Sequence, residues 1–191
     1  MKRIAVLLAA VLAVTGCSTG TDAVATGSEF NFVSPGGQTD ITYEGDERQQ
    51  IPEMRGDSLM EEGTQLTLSS YEGEVVVLNI WGAWCPPCRA EAPQLQKVHE
   101  DYEDKGVQVL GIDFRDYDRD APADFMRNFG LTYPSIYDPS GRSLLPLKGY
   151  PRATVPSTIV LDKDHRVAAI FLRDLLAEDL TPLIDRLLAE K

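Results

Sequence analysis

The sequence predicts an α/β domain whose central sheet mixes parallel and antiparallel strands, with helices on both faces. The unbroken apolar run Val75–Trp81 is typical of a strand that is buried on both sides. A helical pattern follows it, and then a second apolar run at Val107–Asp113. Two further strand-like runs, Thr154–Leu161 and Arg166–Leu172, are joined by a turn. This order of elements suits a βαβ unit that is closed by an antiparallel hairpin.

The first 16 residues have the features of an export signal. Lys2 and Arg3 give a basic start, and the apolar run Ile4–Val14 leads through small residues to Cys17. This pattern resembles a bacterial lipoprotein signal, which would make Cys17 the lipidated N-terminus of the mature chain. The alternatives are an ordinary secretory signal or an uncleaved anchor, although the apolar run is short for a membrane span.

Residues 17–48 are predicted to form a lipid-anchored flexible linker, because residues 18–29 are small and polar without periodicity. Within this segment, Phe30–Val33 and Ile41–Tyr43 flank a Pro-Gly-Gly turn and could instead form a small hairpin. The predicted folded domain therefore occupies residues 49–191.

The domain is expected to begin with a β-hairpin extension made of Met54–Gly56 and Gln65–Leu68, around a turn near Gly63. Helical periodicity and end signals predict the remaining elements, which are helices over residues 86–103, Asp120–Phe129 and Asp179–Leu188, and a short strand at Tyr133–Tyr137. Asp162 to His165 are expected to form a hairpin turn that leaves His165 exposed.

Charge and cysteine content exclude several classes of protein. The formal net charge of −12 argues against nucleic acid binding and against docking to membranes through basic residues. Of three cysteines, a lipidated Cys17 leaves only Cys85 and Cys88, which favours a working pair over a structural disulfide framework. One CxxC motif with two distant histidines, His99 and His165, offers too few ligands for a structural zinc site, so no metal is expected.

The strongest chemical signal is the Cys85-Pro86-Pro87-Cys88 motif, which follows the buried strand and opens a helix. At a helix N-terminus, free N–H groups and the helix dipole favour an anion and lower a thiol pKa. A spacing of three residues lets the two sulfurs meet and cycle between dithiol and disulfide. The motif therefore predicts a redox site.

These residues resemble the active site of thioredoxin-fold proteins, in particular the TlpA/ResA-like group of membrane-tethered thiol-disulfide oxidoreductases. The resemblance covers roughly residues 50–190 and rests on Trp84–Cys88, Glu91, Pro93 and Thr154–Thr158. Thioredoxins carry a buried Asp six residues before the first cysteine. Here that residue is Asn79, so no carboxylate can take up a proton at this position.

The resemblance implies a role for each matching residue. Cys85 would be the exposed nucleophile, Cys88 the less accessible resolving thiol, and no metal or organic cofactor would be needed. A cis peptide before Pro156 would lie against Cys85, with the backbone of Val155 free to pair with an extended substrate segment. Trp84 would shape the docking surface.

Glu91 lies three residues after Cys88 and falls within the same apolar arc of the predicted helix. Partial desolvation should raise the pKa of its carboxyl group. The resemblance implies that this group assists proton movement during thiol exchange. The alternative is a glutamate at the helix edge that pairs with an arginine or reaches water.

The direction of electron flow is predicted from the two prolines. Pro86 and Pro87 remove N–H donors that would stabilise a Cys85 thiolate, which favours a reductant over a strong oxidant. The resemblance implies exported proteins as clients, in particular apocytochromes c, and a membrane thiol carrier as electron donor. The protein is expected to be a monomer, anchored by lipid at the extracytoplasmic face of the cell membrane.

Three alternatives remain open at this stage. An oxidant that installs disulfides in exported proteins would use the same residues. A thioredoxin-like peroxidase is disfavoured because its usual Thr and Arg companions are not evident around Cys85. A copper-binding redoxin is disfavoured because it requires a CxxxC spacing and a distant histidine ligand.

Overall fold

The structure is a computed structural model that describes residues 30–33 and 35–190. In this part of the chain, eight strands form one sheet in the order β1-β8-β7-β4-β5-β6-β2-β3. The strands are β1 (Asp40–Thr42), β2 (Arg55–Ser58), β3 (Gln65–Thr67), β4 (Val75–Trp81), β5 (Val107–Phe114), β6 (Ser135–Asp138), β7 (Ser157–Leu161) and β8 (Val167–Phe171). The helices are α1 (Pro86–Tyr102), α2 (Asp120–Phe129) and α3 (Ala177–Ala189).

Strand β4 lies in the middle of the sheet, and all seven of its residues are buried. It runs parallel to β5 and antiparallel to β7, while β6 extends the sheet in parallel beyond β5. Strands β2 and β3 form the predicted hairpin extension, and β2 pairs with β6. The predicted α/β fold with a mixed sheet is confirmed.

Both faces of the sheet are covered, but the three α-helices pack on one of them. Alternate residues of β4 point to opposite sides, so that Val75 and Val77 join one apolar cluster while Val76 and Leu78 join the other. Residues of α1, α2 and α3 all belong to the first cluster. The second cluster is covered by the N-terminal segment, a short 3-10 helix at Leu68–Tyr71 and the loop around Leu144 and Tyr150.

The structure corrects the predicted linker, because residues 30–33 and 35–48 belong to the folded domain. Phe30, Phe32 and Ile41 are buried, and their apolar side chains cover one face of the sheet. Strand β1 pairs antiparallel with β8 at the sheet edge, and Asn31 forms a bridge with Lys148. The alternative hairpin between residues 30–33 and 41–43 is therefore also wrong. The predicted signal at residues 1–16, Cys17 and residues 18–29 lie outside the described part of the chain.

His165 is buried, not exposed as expected from its place in a turn. Its backbone has φ 55°, and its Nε2 lies 2.9 Å from the carbonyl oxygen of Tyr71. The turn thus folds back onto the 3-10 helix, a contact that local sequence does not reveal. Among the described residues, none of the helices is long and apolar enough to cross a membrane.

Candidate redox site

Cys85 and Cys88 are joined by a disulfide at the N-terminus of α1, with an S–S distance of 2.11 Å. Cys85 is the N-cap residue of the helix, and Pro86 and Pro87 occupy the first two helical positions. Because neither proline has an N–H group, the backbone N–H of Cys88 is the first in the helix that can donate. It donates to the Sγ of Cys85 at 3.2 Å.

The prediction that Cys85 is exposed is wrong for this disulfide form. Cys85 is 1% exposed and Cys88 is 2% exposed, so the two residues are buried almost equally. Both belong to the apolar cluster beneath the helices, against which Val155 also packs. The burial of Cys85 depends on tertiary packing around the disulfide, which local sequence could not show.

The turn before Cys85 is held by hydrogen bonds from both of its last residues. The Ala83 N–H donates to Oδ2 of Asp116 at 2.7 Å, and Nε1 of Trp84 donates to the carbonyl oxygen of Phe114 at 2.8 Å. A Cβ at Gly82 would lie 2.4 Å from Nε1 of Trp84, so glycine is needed for this approach. Trp84 remains 46% exposed beside the disulfide, as a docking surface requires.

The Val155–Pro156 peptide bond is cis, as the resemblance implies. Pro156 is buried directly before β7, and Val155 is half-buried. Val155 packs against the cluster that contains both cysteines and against the cluster on the other face of the sheet. The loop, directly before the strand that pairs with β4, therefore packs against the same apolar cluster as the disulfide.

Glu91 is 1% exposed, and its carboxylate accepts two hydrogen bonds from neutral donors. Nδ2 of Asn79 donates to Oε2, and the N–H of Leu175 donates to Oε1, each at 3.1 Å. Burial raises the pKa of Glu91 to about 8, although the two hydrogen bonds act in the opposite direction. Asn79 also donates to Thr158 on β7 at 3.1 Å, so it links Glu91 to the strand that follows the cis peptide. The predicted desolvation of Glu91 is confirmed, and the alternative of a helix-edge glutamate is wrong.

Asp113 is a second buried acid near the site, and sequence reasoning missed it. It is fully buried at the end of β5, and neither of its carboxylate oxygens has a hydrogen-bond donor among the described residues. Burial, together with the nearby carboxyl group of Asp116, raises the pKa of Asp113 to about 10. The available signal was an acidic residue at the end of an otherwise apolar strand.

Metal ligation has no support among the residues that the structure describes. No group of three or more His, Cys, Asp or Glu side chains is arranged there to hold an ion. What the geometry offers is two sulfurs that exchange electrons, next to a buried acid that can exchange a proton.

Two similar solved structures come from corynebacteria. A secreted thiol-disulfide isomerase from Corynebacterium glutamicum is 49% identical, with a TM-score of 0.82, over 84% of this chain and 98% of that one. A DsbF homologue from Corynebacterium diphtheriae is 47% identical, with a TM-score of 0.78, over 83% of this chain and 99% of that one.

Sequence relatives and a family model agree with these structures. The thiol-disulfide oxidoreductase ResA of Bacillus thuringiensis subsp. konkukian is 32% identical over 106 residues, which are 56% of this chain and 59% of the relative. The chain thus spans about three fifths of the length of such curated relatives. The model of the AhpC/TSA family matches residues 48–170. The chain therefore belongs to the AhpC/TSA family and, within it, is similar to the TlpA/ResA-like thiol-disulfide oxidoreductases.

Proposed function

We propose that this protein is an extracytoplasmic, membrane-tethered thiol-disulfide oxidoreductase that reduces disulfides in exported proteins. The observation that carries the proposal is the Cys85–Cys88 pair at the start of α1, with the cis Val155–Pro156 peptide on the neighbouring strand. Relatives named thiol-disulfide oxidoreductase and a relative described as secreted support both the chemistry and the location. Tethering would require lipidation of Cys17.

The reaction begins with the reduced protein. The Cys85 thiolate attacks one sulfur of a client disulfide, which forms a mixed disulfide and releases the other client sulfur as a thiolate. Cys88 then loses its proton and attacks the Cys85 sulfur. The second client thiolate leaves, and the Cys85–Cys88 disulfide remains. Two electrons have passed to the client, and its two thiolates take up two protons.

Glu91 is proposed to accept the proton that Cys88 loses. It follows Cys88 by three residues on α1, and its pKa of about 8 lets it exchange a proton near neutral pH. Its hydrogen bonds to Asn79 and Leu175 fix the carboxyl group in place. The backbone of Val155 and the exposed ring of Trp84 are proposed to hold an extended client segment across Cys85.

Reduction is the proposed direction because the helix start offers the Cys85 sulfur one backbone donor, the N–H of Cys88. A membrane thiol carrier is proposed to return the two electrons, and apocytochromes c are the proposed clients. A measured reduction potential tests this direction. We expect a value below about −200 mV, in the range of thioredoxin and glutaredoxins, whereas a value near about −120 mV would indicate a strong oxidant.

Trapping of clients tests the central proposal. The Cys88→Ser variant retains the nucleophile but cannot resolve the mixed disulfide, so it should accumulate client proteins bound through Cys85. These adducts should disappear on treatment with dithiothreitol. The Cys85→Ser variant is the matched control and should trap few clients, because it lacks the proposed nucleophile at the helix N-terminus and keeps only Cys88, three residues into α1. Equal trapping by the two variants would contradict the assignment of the nucleophile.

The second candidate function is isomerisation or oxidation of disulfides in exported proteins. Isomerisation has support from the 49% identical protein from Corynebacterium glutamicum, which is described as an isomerase. Recovery of activity of a scrambled, multiply disulfide-bonded protein would distinguish isomerisation from net reduction.

Two further tests address the remaining alternatives, a peroxidase and a copper-binding redoxin. Peroxide turnover that survives Cys88→Ser would indicate a peroxidase, and metal retained by the reduced protein after dialysis would indicate copper binding.

A further inference from the structure

A groove with a volume of about 520 Å³ lies next to the proposed docking surface. One wall is Phe114, whose carbonyl oxygen accepts the hydrogen bond from Trp84. Another part of its lining is Pro151–Ala153, which ends two residues before Val155. The groove therefore adjoins, in the chain, both the residue that binds Trp84 and the loop that carries the cis peptide.

The charge of this groove is opposite to that of the whole protein. Its lining includes two arginines, Arg115 and Arg152, and no acidic residue, although the chain carries a net charge of −12. In the described part of the chain, Arg48, Arg166 and Arg173 each pair with carboxylates. Neither groove arginine has a carboxylate partner there, so both guanidinium groups are available to a ligand.

Arg115 has a backbone conformation that is unusual for a residue with a long side chain. Its φ is 66°, in the left-handed region where glycine or asparagine is favoured and a long side chain is unfavourable. The guanidinium carbon lies 4.9 Å from the centroid of the Phe114 ring, in a cation–π contact. Among the described residues, no carboxylate pairs with this guanidinium group, which belongs to a residue that lines the groove. Tyr117, which is 80% exposed, adds an aromatic surface beside it.

We propose that this groove binds an acidic segment of the client polypeptide next to its disulfide, with client carboxylates placed against Arg115 and Arg152. The proposal rests on the proposed function, because the segment is held there while its sulfur meets Cys85. Guanidinium groups bind carboxylates through paired, charge-assisted hydrogen bonds. Without such a groove, a protein of net charge −12 would repel acidic segments.

The experiment compares three peptides that contain one intramolecular disulfide and differ only in two residues beside the first cysteine. Both residues are Glu in the first peptide, Gln in the second and Lys in the third. The second-order rate constant for oxidation of the reduced full-length protein by each peptide is measured by stopped-flow tryptophan fluorescence. We expect the Glu peptide to react about fivefold to tenfold faster than the Gln peptide, as two exposed ion pairs allow. This preference should decline as salt is raised.

Three variants assign the preference to the groove. Arg152→Gln and Arg115→Asn should each reduce it about threefold, and asparagine suits the left-handed backbone at position 115. Arg55→Gln makes the same change of charge at an exposed position on β2, outside the groove, and should leave the preference unchanged.

The outcomes distinguish this inference from the proposed function. Equal rates for the three peptides, or a preference for Lys, would overturn the acidic client while disulfide exchange at Cys85 still stands. A Glu preference that survives both groove variants would also overturn it. No reaction with any of the peptides would instead contradict the proposed function.

Discussion

At the residue scale, Glu91 makes the stability of the protein depend on pH. Burial raises its pKa in the folded state to about 8, above the ordinary value of 4.5. The folded protein therefore keeps a proton that the unfolded chain releases. The contribution of Glu91 to the unfolding free energy is fully present below about pH 4.5 and is lost as the pH rises towards 8. Glu91→Gln removes this titration. Between pH 5 and 8 we expect the variant to lose about 2–4 kcal/mol less unfolding free energy than the wild type.

Urea unfolding of the oxidised proteins at several pH values measures this difference. Glu100→Gln, an exposed change on the same helix, is the control, and its stability should follow that of the wild type across the range. Because Glu91→Gln and the wild type share every other titrating group, the contributions of those groups cancel in the comparison of these two proteins. Parallel curves for Glu91→Gln and the wild type would show that Glu91 is ionised in the folded state.

The sequence predicted one of the two buried acids at the site and not the other. Glu91 could be found because it occurs at a fixed spacing after Cys88 on a helix whose apolar arc is visible in the sequence. Asp113 ends an apolar strand, where an acid normally reaches solvent. Its burial depends on β6 and on the loop that carries Asp116, and both are placed by tertiary contacts. Two buried acids reduce stability at neutral pH, and such a cost is typical of functional sites.

At the scale of elements, Arg48 connects three parts of the chain that are distant in sequence. Its buried guanidinium lies 3.1 Å from Asp162 in the β7–β8 turn and 2.6 Å from Glu190 at the end of α3. Arg48→Gln would remove this charge from between two carboxylates. We expect a loss of about 3 kcal/mol in unfolding free energy, because the buried carboxylate of Asp162 would lose one of its two guanidinium partners and keep only Arg166.

Arg186→Gln is the control for this prediction. Arg186 forms an exposed ion pair with Glu44, at 2.6 Å, so its loss should cost less than about 1 kcal/mol. Both variants are measured by urea unfolding at the same pH and salt concentration. If they cost the same, the Arg48 cluster would be behaving as a surface ion pair.

The elements themselves were more predictable than the contacts between them. The bounds of α1 and β4 follow from local periodicity and from the Pro-Pro start of the helix. The Arg48 contacts join residues that are 114 and 142 positions apart, and no local pattern encodes such pairs. The burial of His165 was missed for the same reason. Family resemblance, by contrast, supplied the cis peptide before Pro156, which local sequence alone would have disfavoured.

At the scale of the whole molecule, the N-terminal segment closes one edge and one face of the sheet. Strand β1 pairs with β8 through Asp40–Thr42 and covers backbone groups that would otherwise be open to another chain. Phe30 and Phe32 cover the face that carries no α-helix. The small, polar residues 18–29 predicted a linker, but the composition changes at Phe30, whose side chain is buried in the domain.

Two shortened chains test whether this segment belongs to the domain. A chain that begins at residue 49, the boundary predicted from sequence, lacks β1 and the buried side chains of Phe30, Phe32 and Ile41. We expect it to be less stable by about 3–5 kcal/mol than a chain that begins at residue 30, since the lost apolar burial and the lost ion pairs of Arg48 together exceed the entropy regained. Urea unfolding measures the difference, and light scattering should show association through the open β8 edge. Equal unfolding midpoints and two monomers would mean that residues 30–48 only rest on the surface, as a linker would.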